Sequence, residues 1–442
     1  MKERELSRRR FLQFTGTSAL AAPLLAASSS PGNAETVKKG PQWFRGNIHM
    51  HTLRSDGDAF PEEAAALYKR LGYHFVALTD HNSTHENPNI WIKLGQKKLT
   101  AETVARYKKT FDFPLEKKMI GGTEAYRLKT FREMEDLLCE KGRFLMICGN
   151  EVSSGAKNGE ELHVGFVNTK EGCKTLSCES ARDKFYWSLG LRDAVLGRNN
   201  PETLYIVNHP LWRFYDIDPM MLVDRPDVRF FEVANVDAGP LFPATEDFWT
   251  HDKFWDIVNA FRAQNGDPLI YGIGSDDTHN YDSFYHIPRQ LGYIMVRAQE
   301  LSIPSLFRSM YKGDFYASSG IDLEEVAFDP STRTLSVEVL PKEGWDYTIQ
   351  FIGTRKGFDP SVQKEFVFKA QGKIPEWALK QNYVLPTRKM KVYSKDIGQV
   401  FKEIKGFRGS YTMGKDDLYV RAKVFASPQK GKLECAWTQP VK

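Results

Sequence analysis

From residue 43 to about 320 the chain alternates short apolar runs with longer amphipathic or irregular stretches, the rhythm of an α/β layer with mainly parallel strands. The runs read as strands are FRGNIHMH, HFVALTDHN, RFLMICGNE, ELHVGF, TLYIVNHP, VRFFEVAN and LIYGIGSDDTH. Between the first two, PEEAAALYKRLG places Ala64, Leu67, Tyr68 and Leu71 on one stripe. Pro61 and two acids open that stretch and Gly72 closes it, which predicts a helix. After about residue 320 the texture changes to strands without long helices: TLSVEVLP, DYTIQFIG, EFVFKA, DLYVRAKVFA and ECAWTQPV. This pattern predicts a smaller β-sandwich, with Trp437 in its core. The lysine-rich stretch 359–410 shows no clear period and receives no chemistry.

Composition permits this architecture. At 442 residues with 41% apolar and 13% aromatic residues, the chain can bury a sizeable core in two or three domains. The net charge of +5 is small, and no basic stripe points to nucleic acid. Part of that charge lies in the first ten residues. There SRRRFLQFTGTSALAAPLLAASSSPGNA joins a twin-arginine region to a mild apolar stretch and a small-residue site ending at Ala34. It resembles a twin-arginine export signal over residues 1–34, so a periplasmic or extracellular mature chain is expected. Pro23 and Ser28 to Ser30 leave it short of the roughly 20 apolar residues of a membrane span. No stable span is expected in the mature chain. Of five cysteines, Cys139 and Cys148 sit in apolar runs, while Cys173 and Cys178 lie close enough in sequence for one disulfide.

Nearly every apolar run ends in polar chemistry. His49 and His51, spaced by one residue on a strand, point to the same face. The later runs end in Asp80 and His81, in Glu151, in His209, in Glu232, and in Asp277 and His279, with His163 inside its own run. A β/α barrel builds its active site at the C-terminal ends of its strands. Imidazoles and carboxylates without thiolates suit zinc, manganese or iron at a catalytic site. Glu151, ending an apolar run, is costly to bury unless a cation or hydrogen bonds hold it. Arg54 and Arg213 follow histidine motifs and fit a substrate anion or a surface ion pair equally well. Trp212, Phe214 and Tyr215 fit a pocket wall or core packing. Glycine-rich phosphate loops and a serine elbow are absent.

The series His49-Met-His51, Ser55-Asp56-Gly57, Thr79-Asp80-His81-Asn82, Gly149-Asn150-Glu151, His163, Asn208-His209-Pro210 and Gly274-Ser275-Asp276-Asp277-Thr278-His279 resembles the PHP (polymerase and histidinol phosphatase) family. The resemblance implies a distorted seven-stranded β/α barrel over residues 35–320, and the strand-rich tail, 321–442, resembles the β-sandwich-like domain of some exported members. It also implies two or three divalent ions. One would take His49, His51, Glu151 and Asp277; a second would share Glu151 and add His163 and His209; a third would take Asp56, His81 and His279. The last motif departs from the commoner form by its two adjacent aspartates. Asp277 keeps the Asp-x-His spacing, which leaves Asp276, like Glu232, as a supporting residue. The stretch 83–140 is long for the family and is expected to form a lid or substrate loop.

The implied activity is an exported phosphoesterase that hydrolyses a phosphate ester by a metal-activated hydroxide. Glu151, His209 and Asp80 would carry the catalysis, Asp80 as orienter of His81 or proton relay. A small phosphorylated ester is the expected substrate, with no nucleic acid or protein partner. Two alternatives stand beside it: a metal-dependent hydrolase of carboxylic or carbamic esters, and a non-catalytic envelope binding protein.

Overall fold

A computed structural model describes residues 40–173, 175–198, 200–238, 247–286, 292–369, 387–427 and 433–442. The export segment expected over residues 1–34 and the side chains of Arg213 and Phe214 lie outside the described part.

β1 (Gln42–Asn47) leads through helix Pro61–Arg70 to β2 (Phe75–Leu78). This helix starts and stops where its sequence signals place it: Pro61 occupies its first turn, Glu62 and Glu63 follow, and Lys69 and Arg70 close it. An insertion then forms its own antiparallel sheet from β3 (Trp91–Lys93), β4 (Lys117–Ile120) and β5 (Thr123–Arg127), with helices Ala101–Thr110 and Phe131–Leu138. The stretch expected to be a lid or substrate loop is a packed insertion with its own sheet. Arg106 ties it down, with Nε on Glu63 at 3.0 Å and Nη2 on the Asp58 carbonyl at 2.8 Å. Leu99, Tyr107, Tyr126 and Phe131 share one buried core with Phe60 and Leu67.

The main chain of strands continues with β6 (Leu145–Gly155), β7 (Glu161–Val167), β8 (Leu204–Val207), β9 (Phe230–Asn235), β10 (Tyr271–Ser275), β11 (Tyr293–Ala298) and β12 (Phe315–Ser318). Pairing is parallel for β1 with β2, β2 with β6, β8 with β9 and β9 with β10. It is antiparallel on both sides of β7, because a short hairpin joins β6 to β7 and a hairpin reverses direction. The sheet is thus mixed where mainly parallel strands were expected. Its hydrogen-bonded order is an open series, β10-β9-β8-β7-β6-β2-β1-β11-β12, and not a closed ring. Just beyond the strand ends, however, the segment after β10 meets the segment after β1. Met50 and Thr278 form a parallel bridge, and His51 N donates to Thr278 O at 3.0 Å.

The C-terminal strands are β13 (Leu323–Asp329), β14 (Thr334–Val339), β15 (Asp346–Arg355), β16 (Val362–Lys369), β17 (Thr387–Tyr393), β18 (Gln399–Lys405), β19 (Arg408–Thr412), β20 (Asp417–Ser427) and β21 (Glu434–Thr438). The large sheet continues from β12 through β21, β20 and β15 to β18, making thirteen strands in one series. A three-stranded sheet, β13-β14-β19, packs on this extension. Leu335, Val337 and Val339 of one layer meet Ile349, Phe351 and Val424 of the other. Trp437 is buried, but on the opposite face from the layer where it was expected. It belongs to the core around helix His251–Asn265, and its Nε1 donates to Asp252. The same helix receives a buried ion pair from β20: Arg421 donates to both oxygens of Asp256, at 2.9 and 2.7 Å, and also reaches Asp252.

All five cysteines are free, so the disulfide considered for Cys173 and Cys178 is not formed. No helix among the described residues is long and apolar enough to cross a membrane.

Candidate metal centre

The nine side chains singled out from the strand ends converge on one cluster. Glu151, near the middle of β6, is fully buried and stands at its centre. Its Oε1 lies 3.2 Å from His49 Nε2 and 3.3 Å from both His163 Nδ1 and His209 Nε2. Its Oε2 lies 2.8 Å from His81 Nδ1 and 3.5 Å from His51 Nε2. Asp277, on the bridge that joins β10 to β1, brings Oδ1 to 2.9 Å from His51 Nε2 and 3.2 Å from His49 Nε2. Asp56 brings Oδ1 to 3.5 Å from His279 Nε2 and 3.7 Å from His81 Nε2. Four overlapping donor groups result: His49, His51 and Asp277; His49, Glu151 and His209; His81, Glu151 and His163; and His51, Asp56, His81 and His279.

The hydrogen bonding around the cluster shows what these groups lack. Glu151 Oε2, Asp277 Oδ1 and His163 Nδ1 are buried without a hydrogen-bond partner among the described residues. His81 Nδ1 is near enough to Glu151 Oε2 for an ion pair yet lacks hydrogen-bond geometry. Orphaned acceptors in a dry site carry a large desolvation cost, which a cation removes. Two histidines are also held in the right tautomer. His49 Nδ1 faces Glu232 Oε1 at 2.7 Å and His279 Nδ1 faces the Asp277 carbonyl at 2.7 Å. Both acceptors demand a proton on Nδ1, so both Nε2 lone pairs point into the cluster. The donor set and its unsatisfied atoms fit divalent cations.

Strand ends deliver these groups at some conformational cost. Asn82, His209 and Asp277 adopt positive φ of 53°, 23° and 52°. Such backbone costs about 1–3 kcal/mol per residue and persists where surrounding contacts enforce it. Glu232 supplies one such contact: besides His49 it accepts from His209 N at 2.8 Å and Asn235 Nδ2 at 2.9 Å. Asp276, the other supporting candidate, points away from the cluster and accepts from Tyr68 Oη at 2.8 Å. Asn208 and Asn235 are functional neighbours that strand-end reading passed over. Asn208 Nδ2 donates to Glu151 Oε1 at 2.9 Å, and Asn235 Nδ2 also reaches Asp277 Oδ2 at 3.2 Å. Their signal was position, one directly before His209 and the other last in FEVAN.

Asp80 is placed differently from the expectation. Its carboxylate accepts from Thr52 N and Oγ1, Ser55 N and Oγ, and His85 Nε2, all between 2.6 and 3.0 Å. Burial opposes ionisation, but the His85 contact and the loop donors hold the group well below the usual carboxylate range. With its lone pairs occupied, Asp80 fastens the loop that carries His51 and Asp56 and is no ready proton donor. Asp80→Asn is expected to weaken cation binding about tenfold while leaving the pH dependence of turnover unmoved. Loss of one limb of that profile would restore the relay role.

Arg54 is 9% exposed, donates from Nε to Ser83 Oγ at 2.9 Å, and leaves Nη1 without a hydrogen bond among the described residues. Arg213 lies on the short helix Trp212–Tyr215, its side chain outside the described part. Trp212 packs beside His163 and His209, with centroids 5.1 and 5.2 Å apart, and so walls the cluster. Among the described residues the cluster opens toward Asp56: His49, His51, Glu151, His209 and Asp277 are buried, whereas the Asp56 side chain is half exposed.

Electrostatics follow from this crowding. Burial lowers the basicity of His49, but Asp277, Glu232 and Glu151 outweigh it and raise the group well above its ordinary value. His163 and His279 are likewise raised to about 9, against burial, by Glu151 and by Asp56 with Asp277 respectively. His51, buried beside His81 and His279, falls to about 4. Burial alone would raise Glu151, yet His49, His163 and His81 pull it well below its ordinary value. A group raised to about 9 carries a proton at pH 7, and a cation must displace it. Cation uptake at pH 7 is therefore expected to release protons, and affinity should climb with pH and level off above about 9. Calorimetric titration of the metal-free chain in buffers of different ionisation enthalpy measures the release; buffer-independent heats would contradict it.

No protein-family model and no curated protein matches the chain. Among solved structures, it matches a two-domain protein from Bacteroides vulgatus containing a predicted PHP-like metal-dependent phosphoesterase. That match has 14% identity, covers 85% of this chain and 96% of the other, and has a TM-score of 0.38. An amidohydrolase from Chromobacterium violaceum matches at 14% identity over 54% of this chain and 88% of its own, with a TM-score of 0.26. Likenesses this distant leave the chemistry to be argued from the cluster itself.

Proposed function

We propose that the chain is a metal-dependent hydrolase, in first place a phosphoesterase acting outside the cytoplasm on a small phosphate ester. The observation that carries this reading is the convergence of nine imidazole and carboxylate side chains around buried atoms, Glu151 Oε2 and Asp277 Oδ1 among them, that have no hydrogen-bond partner among the described residues. The order of the motifs, which resembles the PHP family, supports it. In this reading residues 35–320 form the family's distorted barrel and residues 321–442 an accessory domain.

His49, His51, Glu151 and Asp277 would hold one ion, Glu151, His163 and His209 a second, and Asp56, His81 and His279 a third. Such ions supply a water of lowered pKa and positive charge for the phosphoryl oxygens. The chain's own residues do the rest. Glu151 ties two donor groups together through its two oxygens, and Glu232 and Asn235 orient His49 and Asp277. Trp212 excludes water on the buried side, so the ester enters past Asp56, His81 and His279, where the site is open.

The test is anaerobic purification of residues 35–442, elemental analysis for manganese, iron and zinc, and assay of phosphate release from an aryl phosphate. Two or three ions per chain with phosphate release are expected. A loaded chain that cleaves carboxylic or carbamic esters and no phosphate ester would shift the reading to those substrates, and a loaded chain without turnover would favour a binding protein.

A further inference from the structure

A second cavity lies at the opposite ends of the strands that deliver His209, Glu232 and Asp277. It measures roughly 400 Å³ and is lined by the residues that lead into β8, β9 and β10. Six residue steps along β8 lead from Thr203 in the lining to His209, about 20 Å at ~3.3 Å per residue, and Glu232, two residues after Phe230, is the cluster neighbour that comes nearest along the chain. The cavity is thus a place of its own and does not belong to the cluster.

Its wall carries guanidinium groups in excess of the carboxylates that face them. Arg192 is 5% exposed and bonds Asp193 and Asp227 through Nε and Nη2, while its Nη1 makes no hydrogen bond among the described residues. Asp227 is already shared with Arg225, and Asp193 with Arg198. Arg229 is half-buried in the same wall. Its Nε donates to the Leu269 carbonyl at 3.3 Å, its guanidinium lies 5.0 Å from the centroid of Tyr271, and no carboxylate among the described residues pairs with it. Behind it the fully buried Arg262 spends its donors on backbone carbonyls of Leu222, Arg225, Val228 and Pro268. Arg262 therefore adds positive charge without offering a contact. The rest of the lining joins the rings of Tyr205, Phe230 and Tyr311 to the polar Asn200 and Thr203 and to Asp227, whose carboxylate is already paired with Arg192 and Arg225.

We propose that this cavity binds a small molecule carrying an oxyanion on a flat apolar body. Arg192 Nη1 and Arg229 take the anion, and the aromatic rings take the body. The volume lies in the range of ligand pockets, which pair an apolar lining with a few placed polar groups. Half-buried guanidinium without a carboxylate is best satisfied by a carboxylate or phosphate. Binding in this cavity does not depend on hydrolysis at the histidine cluster.

Benzoate and its neutral isostere benzamide are the probes, titrated calorimetrically into the full chain with its native metal content. Benzoate is expected to bind, and benzamide to bind more weakly by about tenfold or more. Arg229→Leu orphans no carboxylate, so it should keep the wild-type melting temperature while weakening benzoate by a similar factor. Soaked crystals give a readout independent of any variant, with benzoate expected against Arg192 and Arg229. Equal binding of the two probes, undiminished binding by Arg229→Leu, or benzoate found only at the histidine cluster would overturn the proposal.

Discussion

Glu151→Gln is expected to abolish turnover by about a thousandfold, ~4 kcal/mol in the barrier, and to leave fewer ions per chain. Glu151 faces His49, His163 and His209 through one oxygen and His81 and His51 through the other. A glutamine keeps the shape but replaces one oxygen with an NH2 group, which cannot accept and meets either ring nitrogens or the Asn208 amide. It also removes the negative charge that balances cations in a dry site, where charge interactions are least screened. Steady-state kinetics and elemental analysis on the folded variant, verified by circular dichroism, test this directly. Wild-type turnover with full metal content would remove Glu151 from the centre of the site and the hydrolase reading with it.

Arg421→Met is expected to destabilise the fold by about 3–5 kcal/mol, the usual cost of removing one partner from a buried charge pair. The side chain is fully buried, and Asp256, which it grips through two hydrogen bonds, is 2% exposed. Methionine fills much of the volume but leaves the Asp256 charge with the Tyr419 hydroxyl and no paired cation, while Asp252 keeps Lys423 and the Trp437 Nε1 donor. Denaturant unfolding measures the loss. A change below ~1 kcal/mol would show that water reaches Asp256 and that the pair contributes as little as a surface ion pair.

Much of the cluster could be read from the chain because most of its donors terminate apolar runs, His163 and Asp56 being the exceptions. FVAL of β2 and LYIV of β8 are buried at every position, so the first polar residues after them had to lie at the rim of the core. The same logic located Glu151, Glu232 and Asp277. What escaped reading depends on contacts between segments far apart in sequence. Asp80 sits at a strand end like the others, and only the arrival of Thr52, Ser55 and His85 shows that its oxygens are occupied. The reversal at β7 hid behind an apolar run indistinguishable from its parallel neighbours. Trp437 was correctly expected to be buried, but alternation along a strand cannot tell which of two covered faces a side chain takes.

β21, close to the C-terminal end of this chain, lies between β12 and β20 and pairs with both. During synthesis, residues 315–318 leave the ribosome well over a hundred residues before the strand that will cover their edge. At the ~5–20 residues per second of translation, that edge stays open for several seconds at least. Its four residues are all buried in the finished sheet, an apolar edge that invites pairing with other chains until β21 arrives. Completion of the main sheet is therefore set by the clock of translation, and a chain arrested before residue 434 would be sticky while already holding every histidine of its cluster.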